Sequence, residues 1–120
     1  RALAAIAASG VQGLIVTPDP FLFTVRAALV SFAASKRLPA MYFSSNFADA
    51  GGLMSYGASL EESYRRAASY VDKILKGAKP ADLPIEQPMR FELVINKTTA
   101  RALGITFPLS TLFRAERVIE

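Results

Sequence analysis

The hydrophobic residues of the chain follow two alternating patterns. In the longer segments, apolar residues recur every three or four positions, as on the buried face of a helix. The longest of these segments span 21–37 and 60–76. Four short apolar runs have the length of buried strands: 13–17, 40–43, 53–57 and 91–96. Strands that alternate with helices predict an α/β fold, in which strand–helix–strand units favour parallel pairing.

Capping residues indicate where the first long helix begins and ends. Asp19 is placed to act as an N-cap, with Pro20 at the first helical position. Pro39 closes the segment. After the second strand, residues 44–52 are predicted to form a polar exit and a loop.

The second long helix has the clearer signals. Ser59 and Glu62 have capping-box spacing, and Gly77 is a typical C-terminal stop. Two acid-first pairs, four residues apart, are expected to form ion pairs on its solvated face: Glu61 with Arg65, and Glu62 with Arg66.

The remainder of the chain is predicted to be simpler. Three prolines in 78–90 indicate an extended connection, and a short helix is expected from Thr98 to Leu103. A last short helix is predicted within 105–120.

The first ten residues lead directly into a strand, so we expect them to form a helix and not a signal peptide. The sequence therefore predicts that the chain begins within a longer protein.

Composition excludes several classes of function. The chain has no cysteine and no histidine, which argues against disulfides, thiolate or ordinary zinc sites and hydrolytic triads. The net charge of +4 is dispersed along the chain, a pattern that does not favour nucleic-acid binding. No apolar run approaches the roughly 18–20 residues of a membrane-spanning helix. The sequence therefore predicts a binding module without metal or cofactor, and not an enzyme.

Three stretches in register resemble one known family: Gly51–Gly57, Ile74–Pro84 and Phe91–Gly104. In order and spacing they are similar to the C-terminal end of the ABC-transporter substrate-binding family that includes the tryptophan/tyrosine-type binding proteins. The resemblance implies a parallel-sheet, three-layer lobe of the type I periplasmic binding protein fold. In such proteins two α/β lobes are joined by crossing segments and hold the solute between them.

The resemblance also implies how the chain is divided. Residues 1–57 with strand 91–96 would form the second lobe, 58–90 would cross to the first lobe, and 97–120 would be a helical tail. Gly57 would lie at the hinge. The partners would be a small organic solute, with an aromatic amino acid favoured, and the permease subunits. The full-length protein would have a signal peptide and would be periplasmic or extracytoplasmic, with a lipid anchor.

Candidate ligand-binding residues follow from the position of the strand ends. Ligands of open parallel sheets sit beyond the carboxyl ends of the strands. This rule selects six residues: Thr17, Asp19, Phe21, Ser44, Asn46 and Tyr56. Each has a structural alternative, which is helix capping for Asp19, core packing for the two aromatic residues and local backbone bonding for the others.

Two further expectations remain open. A regulatory doubly wound domain that acts through partner contacts would show the same alternation of strands and helices. If the chain exists without a first lobe, the apolar face of helix 60–76 lacks its cover and is expected to drive self-association.

Overall fold

The computed structural model describes residues 1–120 as one five-stranded sheet with helices around it. The spatial order of the strands is the chain order, β1-β2-β3-β4-β5. The strands are β1 Leu14–Ile15, β2 Ala40–Tyr42, β3 Met54–Ala58, β4 Phe91–Asn96 and β5 Arg117–Ile119. Three of the four pairings are parallel, which confirms the predicted α/β class.

The antiparallel pairing of β3 with β4 is explained by the segment between these strands. The chain leaves β3 at Ala58 and returns at Phe91, and these two residues are register partners. Because the intervening segment returns to the edge of the sheet that it left, β4 has to run back along β3.

Seven α-helices precede or connect the strands, and a 3-10 turn spans Pro80–Asp82. The α-helices are α1 Ala2–Ala8, α2 Pro20–Thr24, α3 Arg26–Ser35, α4 Ser45–Asp49, α5 Leu60–Leu75, α6 Lys97–Leu103 and α7 Leu109–Arg114. The helices predicted at 60–76 and 98–103 are confirmed to within one residue. Gly77 and Gly104 follow α5 and α6 with φ of 105° and 73°, a region that favours glycine.

The helix predicted over 21–37 is divided in two. Val25 has φ −99° and ψ 17°, which separates α2 from α3. Beside the break, the Thr24 hydroxyl donates to the Phe21 carbonyl and the Arg26 guanidinium donates to the Phe23 carbonyl. Side chains that bond to nearby carbonyls compete with the regular helical ladder.

Two other elements differ from the prediction. The loop expected at 44–52 contains α4, whose N-cap Ser44 accepts a hydrogen bond from the Asn46 amide. The helical tail is followed by β5, which pairs with β4. Both elements are too short to give a periodic signal, and the burial of Phe47 and the pairing with β4 stabilise them in the folded chain.

The core lies between β1, β2 and the helices α2, α3 and α4. Its seven buried residues are Val16, Leu29, Val30, Ala33, Ala40, Tyr42 and Phe47. Within it the Tyr42 and Phe47 rings stack with centroids 4.8 Å apart. The core therefore fixes the carboxyl ends of β1 and β2.

Residues 59–90 form an arm that stands off this core. No residue of α5 is buried, although its sequence is strongly amphipathic. The Tyr70 hydroxyl donates to the Pro84 carbonyl at 2.8 Å, which holds the return segment against α5. The radius of gyration is 17.6 Å, compared with about 14 Å for a compact chain of this length.

The ion pairs of the arm agree with the prediction at one position only. Arg65 pairs with Glu61 as expected. The predicted pair of Glu62 with Arg66 is wrong, because the Arg66 guanidinium binds Glu86 of the return segment. The capping of α5 is confirmed, since the Glu62 amide donates to the Ser59 hydroxyl at 3.3 Å.

Candidate functional site: an apolar groove at the strand ends

An open groove with a volume of about 430 Å³ lies at the carboxyl ends of β1, β2 and β3. It is lined by Ile15, Val16, Thr17, Pro18, Met41, Tyr42, Phe43, Tyr56, Gly57, Ala58, Leu60 and Phe91. Small-molecule sites have volumes of about 300–1,000 Å³ and mostly apolar walls. We refer to this site as the groove.

Three of the predicted residues line the groove: Thr17, Tyr56 and Gly57. Thr17 lies two residues beyond the end of β1, and its hydroxyl is the one aliphatic hydroxyl among the lining side chains. Tyr56 and Gly57 lie near the end of β3. The rule that selects strand ends therefore leads to the edge of the sheet at which the groove lies.

The other four predicted residues lie outside the lining. The Asp19 carboxylate accepts a hydrogen bond from the Leu22 amide at 3.0 Å as the N-cap of α2, so the capping role is confirmed. Phe21 is 69% exposed in the same helix. The Ser44 hydroxyl donates to the Asn46 side-chain oxygen at 3.1 Å, and the two residues satisfy each other at the start of α4.

Most lining residues were not among the predicted ones, including Ile15, Met41, Phe43 and Phe91. Ile15 and Met41 are register partners on neighbouring strands, so their side chains share a face of the sheet. Alternation along the short runs could have indicated them. Phe91 could not be found in this way, because it reaches the groove through the antiparallel return of β4.

Tyr56 and Phe91 form an aromatic pair on one wall. Their ring centroids are 5.7 Å apart and their planes differ by 23°, which is a stacked arrangement. Tyr56 is 50% exposed and Phe91 49% exposed. Each ring therefore keeps about half of its surface free for a further contact.

Gly57 allows a close approach between β3 and the end of β2. A Cβ atom at this position would lie 1.9 Å from the Phe43 carbonyl oxygen. The φ of Gly57 is not positive, and the strand continues through it to Ala58. Glycine is therefore needed at position 57 for space, and its place at the hinge stays a prediction.

The groove is electrically neutral. None of its lining side chains is a carboxylate, an ammonium or a guanidinium. Burial raises the pKa of Tyr42 to about 12, so that its phenol remains protonated at neutral pH. The nearby charged residue Arg90 pairs instead with Glu116 at 3.0 Å. This arrangement suits an uncharged apolar group and offers no acid–base chemistry.

Solved structures that are similar to the chain include the following three. A conserved domain protein from Vibrio cholerae O1 biovar El Tor strain N16961 has 28% identity and a TM-score of 0.88, over 98% of this chain and 39% of that chain. An ABC domain in complex with L-Trp from Streptococcus pneumoniae has 30% identity and a TM-score of 0.88, over 98% and 40%. The ligand-free, open substrate binding protein CD0873 from Clostridium difficile has 19% identity and a TM-score of 0.65, over 98% and 39%, and is similar in fold alone.

The matched structures are much longer than this chain. The chain spans about two fifths of the length of the structures it matches. No curated protein matches it in sequence. None of its helices combines the length and the apolarity that crossing a membrane would require.

The model of the family described as ABC transporter substrate binding protein matches residues 2–119, almost the entire chain. This chain belongs to the family of ABC transporter substrate binding proteins.

Proposed function

We propose that the chain is the solute-binding lobe, with its crossing arm, of a receptor that serves an ABC importer. The observation behind this proposal is the neutral, aromatic-lined groove at the carboxyl ends of three parallel strands. In open α/β sheets this edge is the usual place for a ligand. Family membership supports solute binding in general.

Binding would proceed by closure of two lobes. The sheet would form the second lobe, and the arm of residues 59–90 would belong to the first. The exposed apolar face of α5 supports this division, because a strongly amphipathic helix normally buries that face. A solute that contacts both lobes at once would stabilise the closed state, and no covalent step is needed.

The favoured solute is an amino acid with an aromatic side chain. The Tyr56–Phe91 pair and the absence of charge in the groove support this class. The L-Trp bound by the similar Streptococcus pneumoniae domain points in the same direction. The receptor would deliver the solute to permease subunits from an extracytoplasmic location, held at the membrane by a lipid anchor.

Isothermal titration calorimetry of the full-length protein with the twenty amino acids tests this function. We expect saturable binding of one or more aromatic amino acids. A matched pair of variants localises the site: Phe91→Glu is expected to abolish binding, and Phe113→Glu, which alters an 86% exposed residue outside the groove, is expected to leave it unchanged. Absence of binding to every amino acid would contradict the proposal and favour a regulatory domain that acts through partner contacts.

A further inference from the structure

We infer that Tyr56 and Phe91 determine specificity by stacking on a planar, uncharged group of the solute, and that the charged groups of the solute lie outside the groove. This inference rests on the proposed function. It adds which residues discriminate among solutes, and which part of the solute this lobe recognises.

The position of the two rings supports a direct contact with the solute. Phe91 pairs with Ala58, and Tyr56 pairs with Leu93, so the two aromatic residues are diagonal neighbours across β3 and β4. Residues at such positions project from the same face of a sheet. Both rings line the groove, and both are half-exposed although they are among the largest apolar side chains there.

The orientation of the rings favours a planar partner. Their planes are within 23° of parallel, so a third ring can extend the stack or pack against its edge. A flexible aliphatic group would cover the same surface without the additional aromatic attraction. The pair is therefore expected to distinguish aromatic from aliphatic side chains of similar size.

The absence of charge from the lining restricts which end of the solute enters. A carboxylate or ammonium in the groove would lose its hydration and would meet no side chain of opposite charge. Thr17 offers a single neutral hydroxyl. The α-carboxylate and α-ammonium of an amino acid must therefore point away from the groove, and solutes with charged side chains are expected to be rejected.

The test compares two solutes in three proteins. The full-length protein and its Phe91→Leu and Tyr56→Leu variants are titrated calorimetrically with the best aromatic amino acid and with leucine. We expect each variant to lose about 3- to 10-fold in affinity for the aromatic solute and less than twofold for leucine, because leucine retains apolar area but not aromatic stacking. Phe113→Leu, a matched exposed phenylalanine outside the groove, is expected to change neither.

A second measurement requires no variant. Cyclohexylalanine has nearly the size of phenylalanine and no planar ring, so the unaltered protein is expected to bind it about 3- to 10-fold more weakly than phenylalanine. This comparison decides the question if a leucine variant fails to fold. Equal affinities for the two compounds, or equal losses for both solutes in the variants, would overturn the inference.

The two proposals fail in different ways. If the unaltered protein binds no amino acid, the proposed function fails and the inference fails with it. If it binds an aromatic amino acid but its preference over leucine survives both variants, solute capture stands and only the role of Tyr56 and Phe91 is refuted. Tight binding of lysine or glutamate would refute the exclusion of charged side chains while leaving solute capture intact.

Discussion

Substitution of Gly57 by alanine is expected to destabilise the sheet at the groove. The added Cβ atom would lie 1.9 Å from the Phe43 carbonyl oxygen and 2.9 Å from its carbonyl carbon. Real Cβ contacts are essentially never closer than 3.0 Å, so the strand ends must separate by about 1 Å. Both sides of the contact are backbone, and no flexible side chain can move away.

The magnitude follows from what resists this separation. β2 and β3 are held in register by the pairs Met41–Met54 and Tyr42–Ser55, directly before the contact. Overpacking costs about 1–3 kcal/mol, and a contact between two backbone segments belongs at the upper end of that range. We therefore expect the free energy of unfolding to fall by about 3 kcal/mol. The affinity for solute should also fall, because Phe43 and Gly57 both line the groove.

Urea unfolding of the full-length protein, followed by circular dichroism, measures this loss. Gly13→Ala is the matched control. Its added Cβ atom would lie 3.5 Å from the Pro39 carbonyl oxygen, an ordinary contact, and the expected change is within about 0.5 kcal/mol. If Gly57→Ala unfolds within about 0.5 kcal/mol of the parent protein and binds solute equally well, the close approach does not constrain the site.

Three other outcomes are expected. Asp19→Ala should lower the free energy of unfolding by about 1 kcal/mol through loss of the α2 cap, whereas Asp19→Asn should retain the cap and the stability. Calorimetry should show unchanged solute affinity in both variants, and a loss of affinity in the Asn variant would reveal a ligand role. Burial raises the pKa of Tyr42 from 10.0 to about 12, so the contribution of its protonated phenol to stability is complete below pH 10 and is lost as the pH rises towards 12. The free energy of unfolding measured across this range should decrease by roughly 2–3 kcal/mol, and Tyr42→Phe should abolish this decrease. The pKa of Glu120 is lowered from 4.5, chiefly because the Lys97 ammonium donates a hydrogen bond to its carboxylate, with a smaller effect from Arg101. The ion pair is complete above pH 4.5 and is lost as the pH falls through the lowered pKa. An NMR titration should give a pKa nearer to 4.5 in Lys97→Gln, and an unchanged low value would contradict this cause.

The candidate site was only partly predictable from the sequence. Thr17 and Tyr56 could be predicted because short runs of β-branched and aromatic residues indicate strands, and ligands bind at strand ends. Ser44 and Asn46 fit the same rule, but their side chains bond to each other at the start of α4. A short polar residue at a strand exit can face a ligand or cap the next helix, and the sequence pattern is the same in both cases.

Local chemistry along the chain determined the approximate positions of β1 to β4, the long helix that follows Ser59 and the fold class; the predicted strand 13–17 was longer than β1, which spans only Leu14–Ile15. These features depend on periodicity and capping, which act over a few neighbouring residues. The antiparallel direction of β4, the stacking of Phe91 on Tyr56 and the need for glycine at position 57 were decided by tertiary structure. Each of these features depends on a contact with a segment that is distant in the sequence. The residues near one side of such a contact do not indicate the direction in which the other segment runs.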